Sequence, residues 1–377
     1  MAAKGDSLTQ SRRVAEKVRL GEYINEFNSR NRDGKVDSVF SVTNSKGFVS
    51  STEYFKKEVF SKTLTTYKVV QQGDFAYNPS RINVGSIGLY DNNERGIVSP
   101  LYVTFRADAE RIDFRFLLSF LKSAIALRQI RNLTAGSVRD SLKFSALRKL
   151  KLPLPTIVEQ KRIAAVLDKI CELKKNAEAQ IEKLDLLVKS RFVEMFGDIE
   201  QGSNKFDVQS LGDICLSMCA GKDVPSDCVK VKDSNHAIPI YSNGIENNGL
   251  YGFTKEARIH LPSITISGRG TIGFVCKRMH PFVPIIRLVV ATPNPDIVDL
   301  TYLESALRGR CCINTGTTIP QLPVPAARKI LVMIPPLALQ REFAAFVEKV
   351  DKLKDIAKKS VEQMDTLYRA KLQEYFG

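Results

Sequence analysis

The chain has 377 residues, which is too long for one ordinary hydrophobic core and predicts at least two domains. No stretch reaches the roughly 18 to 20 uninterrupted apolar residues of a membrane span, and the first twenty residues lack the apolar centre of a signal peptide, so we expect a soluble cytoplasmic protein. A net charge of +15, from 56 Lys and Arg against 41 Asp and Glu, favours nucleic acid or another polyanion as the partner.

Residues 20–153 contain short β-rich runs separated by clusters of Gly, Asn, Asp and Pro, a pattern typical of strands joined by turns. The clearest runs are SVFSVT, SIGLY and LYVTF, and one helical stretch, FRFLLSFLKSAIALRQI, follows them. Residues 205–332 show the same pattern with SITIS, TIGFV and IIRLVV and with the helical stretch TYLESALRGRCC. We therefore predict two irregular domains of mixed α/β or α+β class.

A long helix is predicted after each of these regions. The first runs from Gln160 to about Lys189, roughly 45 Å at ~1.5 Å per residue. Apolar residues at steps of three and four on both helices predict a coiled-coil seam, although each stripe could instead pack only on its own domain. The predicted seam residues are Ile163, Val166, Ile170, Leu173, Ala177, Leu184 and Leu187 in the first helix and Phe343, Phe346, Val350, Leu353, Ala357, Met364 and Leu367 in the second.

The chain repeats itself after about 180 residues. A shift of 180 aligns Pro155 with Pro335, Gln160 with Gln340, and the ending Phe-Gly at 196–197 with the same pair at 376–377. Farther upstream the spacing drifts, but RLGEYI at 19–24 matches SLGDIC at 210–215, and VGSIGLY at 84–90 matches RGTIGFV at 269–275. We infer a tandem duplication, because internal repeats of this kind indicate repeated structural units.

The duplication predicts four consecutive segments: a first globular domain at 1–155, a helix at 156–198, a second globular domain at 199–335 and a helix at 336–377. The predicted fold has two similar α/β (mixed α+β) domains, separated by two long antiparallel helices that form a coiled coil, with internal pseudo-twofold symmetry. Mutual pairing is favoured because two near-identical helices occur in one chain.

Motifs for catalysis are missing from the sequence. It has no P-loop, no glycine-rich dinucleotide loop and no nucleophile elbow, and its three histidines lack metal-ligand spacing. The seven cysteines suggest reduced thiols, and Cys215, Cys219 and Cys228 match no common zinc pattern. YNPS at 77–80 lacks the second proline and aromatic residue of an amino-methyltransferase box. We therefore predict no catalytic activity, no bound metal and no cofactor in this chain.

Polar, glycine-containing loops carry the candidate DNA contacts. Arg and Lys suit guanine edges or phosphates and Gln suits adenine, so loops at equivalent positions with different donors would read different sequences. For each residue the alternative is an ordinary turn with a solvated side chain. The candidates are Arg81, Ser86, Arg139 and Lys143 in the first half and Arg269, Thr271, Lys277, Arg278, Thr317, Thr318 and Gln321 in the second.

The duplicated opening Pro-x-x-x-x-Gln-x-x-[Ile/Phe]-Ala-Ala, the charged helix after it and the Phe-Gly ending resemble the specificity subunit of type I restriction-modification enzymes. The resemblance covers nearly the whole chain. It implies two target recognition domains, one for each half of a bipartite asymmetric DNA site, and two spacer helices on which two modification subunits dock. Those subunits would bring S-adenosylmethionine and adenine methylation, and restriction subunits would add translocation and cleavage. Thr156 and Leu339 depart from the residues of the other copy without changing the assignment.

Two other protein classes fit part of the sequence. A coiled-coil scaffold without DNA specificity would explain the helices but neither the duplicated α/β domains nor the charge of +15. A non-specific RNA-binding protein would need surface aromatic residues on a recognisable sheet, which the sequence does not indicate. The isolated chain is expected to be monomeric or to self-associate, because a seam that receives partners leaves apolar surface exposed.

Overall fold

A computed structural model of the chain describes residues 16–54, 63–134, 141–308 and 321–377. The chain forms two compact units. The first comprises Met1–Ala177 and Ser360–Gly377, and the second comprises Glu178–Lys359. The units cut across the predicted segments 156–198 and 336–377, because each long helix contributes one half to each unit.

The first unit contains ten short strands, two 3₁₀ helices (Leu20–Glu22 and Ile82–Val84) and five α-helices, the last of which continues into the second unit. The strands are β1 (Lys17–Arg19), β2 (Ile24–Phe27), β3 (Val39–Thr43), β4 (Gly47–Ser50), β5 (Lys68–Val70), β6 (Asp74–Tyr77), β7 (Ile87–Leu89), β8 (Gly96–Val98), β9 (Val103–Ala107) and β10 (Lys151–Pro153). The helices are α1 (Ser51–Tyr54), α2 (Phe114–Lys122), α3 (Ala124–Thr134), α4 (Phe144–Leu147) and α5 (Ile157–Phe196). These counts refer to the described ranges.

Within the described ranges the second unit contains nine strands, one 3₁₀ helix (Glu246–Gly249) and three α-helices besides the end of α5. The strands are β11 (Val208–Ser210), β12 (Cys215–Ala220), β13 (Ile238–Tyr241), β14 (Leu250–Thr254), β15 (Ser263–Ile266), β16 (Val275–Arg278), β17 (Val283–Pro284), β18 (Val289–Pro293) and β19 (Leu331–Met333). The helices are α6 (Leu300–Leu307), α7 (Val324–Arg328) and α8 (Leu337–Phe376), of which α8 ends in the first unit.

The main sheet has the same topology in both units, and the second sheet has four strands in the first unit and three in the second. The first has an antiparallel sheet of order β2-β9-β6-β7, and the second has the equivalent sheet β12-β18-β15-β16. A second sheet contains one parallel pair in each unit, β3 with β8 and β13 with β17. A two-stranded ribbon closes each unit, β1 with β10 and β11 with β19. The prediction of two similar mixed α/β domains is therefore confirmed.

A buried glutamine at the start of each long helix fixes that helix to its unit. Gln340 is fully buried: its Oε1 accepts from the Asp299 N–H at 2.8 Å, and its Nε2 donates to the carbonyls of Ile297 and Pro335. Asp299 in turn caps α6 by accepting from the N–H groups at its start. Gln160 makes the same three kinds of bond in the first unit, with Asp113, Arg111 and Pro155.

The two long helices pair antiparallel within each unit. In the first unit Lys174 forms an ion pair with Asp365 at 2.7 Å, and Phe376 packs in the core that contains Ile163. In the second unit Lys354 forms an ion pair with Asp185 at 2.7 Å, and the rings of Phe196 and Phe343 lie 5.5 Å apart. The two ion pairs are equivalent under the shift of 180. Each helix has 40 residues and is about 60 Å long, which is longer than the predicted 45 Å.

The structure corrects part of the predicted seam. Ile163, Ile170 and Ala177 in α5 and Phe343, Val350 and Ala357 in α8 are buried, and Val166, Leu184, Phe346 and Met364 are partly buried. However, four predicted seam leucines are exposed, by 40 to 53%: Leu173, Leu187, Leu353 and Leu367. Other residues take the remaining seam positions: Leu167, Lys174 and Val188 in α5 and Val347, Lys354 and Leu372 in α8.

For Leu173 and Leu353 the physical reason is a lysine at the next position of each helix, which occupies the seam. Leu173 and Lys174 both satisfy a step of three or four from the buried Ile170 and Ala177, and hydrophobicity alone favours the leucine. The ion pair lets the lysine occupy the seam and leaves the leucine outside. Among the described residues, no helix combines the length and the apolarity required to cross a membrane.

Candidate nucleic-acid interface

An equivalent loop follows the inner strand of the main sheet in each unit. Residues 78–86 connect β6 to β7, and residues 267–274 connect β15 to β16. Each loop is closed by a backbone hydrogen bond, from Asn78 to Ser86 and from Ser267 to Phe274. Gly85 and Gly270 have φ values of +92° and +74°, which glycine adopts without a Cβ penalty. The two glycine loops predicted from the sequence therefore occupy equivalent places in the fold.

The loop of the first unit borders a polar cavity of about 730 Å³. None of the described residues that line this cavity carries a carboxylate, and most of the polar ones are hydroxyl or amide side chains. Arg81 lines it and is exposed, and its guanidinium has no hydrogen-bond or ion-pair partner among the described residues. A neutral, donor-rich wall with one unpaired arginine suits a base edge or a phosphate.

Two asparagines that sequence reasoning missed line the same cavity. Asn78 accepts from the Ser80 N–H through Oδ1, so its amide nitrogen remains available as a donor. Asn44 follows β3, and its Oδ1 lies so close to Gly85 that a Cβ there would be 2.7 Å away. An asparagine amide can donate to and accept from adenine at once. The YNPS motif contains Asn78, but its partial likeness to a methyltransferase box does not indicate a DNA contact.

The remaining candidates of the first unit differ in accessibility. Lys143 is exposed at the start of α4, and the neighbouring Leu142 N–H donates to the carbonyl of Pro79, which brings Lys143 beside the loop of Arg81. Ser86 is 3% exposed, and its hydroxyl donates to the carbonyl of Val42 at 2.8 Å. This placement argues against a DNA contact by Ser86. Arg139 lies outside the described residues.

The glycine loop of the second unit also meets the segment before its long helix. Arg269 is exposed and forms an isolated backbone bridge with Gln321, and the Leu322 N–H donates to the carbonyl of Gly268. This contact is equivalent to that of Leu142 in the first unit. Thr271 is exposed on the same loop. The structure thus brings Arg269, Thr271 and Gln321 together, whereas Thr317 and Thr318 lie outside the described residues.

Two basic candidates on β16 are engaged inside the second unit. Arg278 is 4% exposed, donates to Thr265 Oγ1 and to the carbonyl of Asn248, and lies 3.6 Å from the centre of the Tyr241 ring. Burial raises the pKa of Tyr241, and the nearby Arg278 charge partly opposes that rise. Lys277 is partly buried and donates to Thr301 Oγ1 at 3.1 Å. These placements argue against DNA contacts by Lys277 and Arg278. Adjacent residues of β16 face opposite sides of the sheet, and both sides are covered there, by Thr301 at Lys277 and by Asn248 and Tyr241 at Arg278.

Metal-binding chemistry is not assembled in the part of the chain that the structure describes. No group of three or more His, Cys, Asp or Glu side chains there could hold a metal ion. Cys215, Cys219 and Cys228 are free thiols at separate positions.

The fold and its loops therefore define a protein with two similar units, each presenting polar loops at the same strand ends and each containing half of two paired helices. The model of the family described as type I restriction modification DNA specificity domain matches the chain twice, at residues 14–183 and 204–364. The chain belongs to this family. The two matches correspond to the two copies of the repeat.

Curated relatives carry the same description. A putative type I specificity subunit from Mycoplasma pneumoniae is 28% identical over 229 residues, which are 61% of this chain and 63% of that protein. A second such subunit from the same organism is 31% identical over 138 residues, 37% of this chain and 41% of that protein. The chain thus spans less than two thirds of the length of these two relatives. The putative MjaX specificity subunit of Methanocaldococcus jannaschii is 22% identical over 88% of this chain and 83% of its own length.

Solved structures show the same fold. The crystal structure of a type I restriction-modification S subunit from M. genitalium superposes with a TM-score of 0.61 at 18% identity and covers 98% of both chains. A chain from a study of complex assembly and conformational transition of the type I restriction-modification system has a TM-score of 0.58 at 18% identity, covering 96% of this chain and 97% of that chain.

Proposed function

We propose that the chain is the non-catalytic DNA-reading subunit of a type I restriction-modification complex, with each unit reading one half of a two-part target. The observation that carries this proposal is the equivalent placement of the two glycine loops, each beside the segment that precedes a long helix. One fold used twice provides two reading surfaces. The charge of +15 would add salt-sensitive phosphate contacts.

The target is asymmetric in this proposal because the equivalent loops carry different donors. Residue 78 in the first unit is Asn, whereas the residue that opens the second loop is Ser267. Arg81 and Arg269 are both exposed but lie at different positions in their loops: Arg81 is four residues after the end of β6, and Arg269 is three residues after the end of β15. Different donor positions select different base pairs in the major groove.

The paired helices are the proposed docking surface for two modification subunits, which carry S-adenosylmethionine and methylate adenine, and restriction subunits join them. The four exposed leucines that lie outside the seam support this part. Leu173 and Leu367 belong to the first unit, and Leu187 and Leu353 belong to the second. Each unit therefore exposes two of these four leucines, and the second unit also exposes Leu186. In this proposal each unit receives one modification subunit on this apolar surface. Exposed apolar side chains of this kind mark interaction sites when they cluster.

The proposal is tested by expressing the chain together with its modification subunit and mapping methylated adenines across the host genome. A split motif with a fixed gap is expected. Exchanging residues 20–153 for those of another family member should change one half of the motif and leave the other. Absence of any sequence-dependent methylation and of any sequence-dependent DNA binding, at low and high salt, would refute the proposal.

The docking surface has its own test. Replacing Leu187 and Leu353 by Glu should weaken co-purification of the modification subunit, because two charges would enter an apolar contact. Val231 is 77% exposed in a loop of the second unit, so Val231→Glu is a matched control that should leave co-purification unchanged. Equal loss in the control, or no loss in the double variant, would show that the leucines do not dock the partner.

A further inference from the structure

The turn between β17 and β18 has an unusual backbone. The Leu288 N–H donates to the carbonyl of Ile285, and the two central residues, Ile286 and Arg287, have φ values of +52° and +58°. Left-handed backbone at both central positions is the conformation of a type I′ turn, which favours Asn-Gly. A β-branched residue there is a genuine outlier, and outliers of this kind cluster at functional sites.

The surrounding residues hold this turn in place. The Gly221 N–H donates to Leu288 O, its carbonyl accepts from the Arg287 N–H, and the Lys222 carbonyl accepts from the Ile286 N–H. The approach is so close that a Cβ on Gly221 would lie 2.6 Å from the nitrogen of Ile285. Strained conformations persist when their surroundings overdetermine them, and this turn meets that condition.

The turn lies directly against the glycine loop of the second unit. The carbonyl of Arg287 is 3.3 Å from the position of a Cβ on Gly268, the residue before Arg269. Asn243 joins the two segments, since its Oδ1 accepts from the Gly268 N–H and its Nδ2 donates to the carbonyl of Ile286. Arg269 and Arg287 are therefore exposed on neighbouring loops, which the Asn243 side chain links by hydrogen bonds.

Neither arginine is used inside the domain. Arg269 and Arg287 are exposed, and neither guanidinium has a hydrogen-bond or ion-pair partner among the described residues. By contrast, Arg278 of the same unit is buried and makes two hydrogen bonds. A strained turn that ends in an unpaired arginine has no evident structural purpose.

The equivalent turn of the first unit borders the polar cavity. It connects β8 to β9, is closed by a hydrogen bond from Tyr102 to Ser99, and lines the cavity together with Arg81. No residue of this turn has a positive φ. The same place in the fold thus faces the candidate reading surface in both units, with a Pro-Leu pair in the first and a left-handed Ile-Arg pair in the second.

We propose that Arg287 and Arg269 form a pair of DNA contacts that reads the second half of the target, and that the left-handed turn exists to present Arg287. The inference rests on the proposed function, because it assigns residues to that reading surface. Two guanidinium groups on adjacent loops can engage neighbouring guanines, or a guanine and the phosphate beside it.

The test uses the full chain with its modification subunit and a duplex that carries the motif mapped for the wild-type complex. Arg287→Ala should lower affinity about tenfold or more, as the loss of a base-reading arginine does. Lys255→Ala is the matched control, because it removes the same charge from an exposed side chain. Lys255 follows Thr254, which pairs with Ile238, the first residue of β13. Asn243 and the candidate loops lie beyond the other end of that strand. Lys255→Ala should change affinity less than twofold.

A second variant separates presentation from folding. Ile286→Asn with Arg287→Gly supplies the residues that a type I′ turn favours, so the thermal midpoint should rise by a few degrees while affinity falls as in Arg287→Ala. A merely structural turn would gain stability without losing affinity. That result, or an Arg287→Ala variant within twofold of Lys255→Ala, would overturn the inference. If the wild-type complex yields no motif, the proposed function fails instead.

Discussion

Lys354 provides a sharp test of how the long helices pair in the second unit. Its side chain is 8% exposed, and its Nζ lies 2.7 Å from Asp185 and 3.4 Å from Asp351. The equivalent Lys174 of the first unit is 33% exposed and lies 2.7 Å from Asp365. The position equivalent to Asp351 is a cysteine there, so the chain contains a buried and a half-exposed version of one ion pair.

The two ion pairs should contribute differently to the free energy of unfolding, because Lys354 is buried and Lys174 is partly exposed. Replacing Asp185 and Asp351 together by Ala leaves a buried ammonium group without a carboxylate, which costs about 3 to 5 kcal/mol. Both carboxylates are themselves 44 to 58% exposed, which places the expected loss near the lower end, about 3 kcal/mol. Asp365→Ala in the first unit removes a more solvated pair and should cost about 1 kcal/mol or less.

Lys354→Met is the decisive companion variant. It replaces the ammonium group by an apolar side chain of similar length and leaves two carboxylates exposed enough to remain hydrated. The free energy of unfolding should therefore stay level or rise by about 1 to 4 kcal/mol.

Urea denaturation followed by far-ultraviolet circular dichroism measures these differences, provided that the m values of the variants agree. The reasoning is refuted if the Asp185 and Asp351 double variant is no less stable than Asp365→Ala. It is also refuted if Lys354→Met loses as much stability as the double variant. Such a loss would mean that the paired lysine stabilises the fold more than an apolar side chain does at this position.

Further predictions concern three sites of the second unit. Gln340→Glu places a carboxylate against two carbonyls and should lower the free energy of unfolding, measured by urea denaturation, by about 2 to 4 kcal/mol. Gln180→Glu, at an exposed helix position, is the control and should lower it by less than about 0.5 kcal/mol. Gly221→Ala forces a Cβ to 2.6 Å from the Ile285 nitrogen, and a loss of about 1 to 3 kcal/mol is expected in the same assay; a neutral result would contradict the close approach. Burial raises the pKa of the Cys215 thiol to about 12, so iodoacetamide at pH 8 should label it much more slowly in the native than in the urea-unfolded chain; equal rates by peptide mass spectrometry would contradict its burial.

The repeat made much of the fold predictable. Gln160 and Gln340 align under one shift, and the structure gives them the same three kinds of hydrogen bond. The stretch from Phe114 was predicted as one helix, and the structure contains two, because Ser123 has extended backbone between α2 and α3. The periodicity indicates the helical stretch, but it does not indicate that one residue within the stretch has extended backbone.

Other features depend on tertiary contacts that local patterns do not encode. IIRLVV consists of residues typical of strands, yet its second and third residues form a left-handed turn, because Gly221, Lys222 and Asn243 hold the backbone there. TIGFV was predicted as a strand, but β16 begins only at its last residue, since the glycines belong to the preceding loop. Arg278 was a candidate DNA contact because local patterns do not reveal its partner Asn248, which lies 30 residues away in the chain.

The division of the two long helices between the units has a consequence for synthesis of the protein. The first unit contains residues 1–177, yet its core also includes Phe376, whose ring lies 5.2 Å from that of Phe116 and 5.6 Å from that of Phe120. A ribosome that adds about 5 to 20 residues per second needs roughly 10 to 40 s to pass from residue 177 to the segment that begins at 360. During that interval the nascent first unit exposes the phenylalanines that Phe376 later covers, so a premature stop codon in the last turns of α8 would damage the half of the protein that was made first.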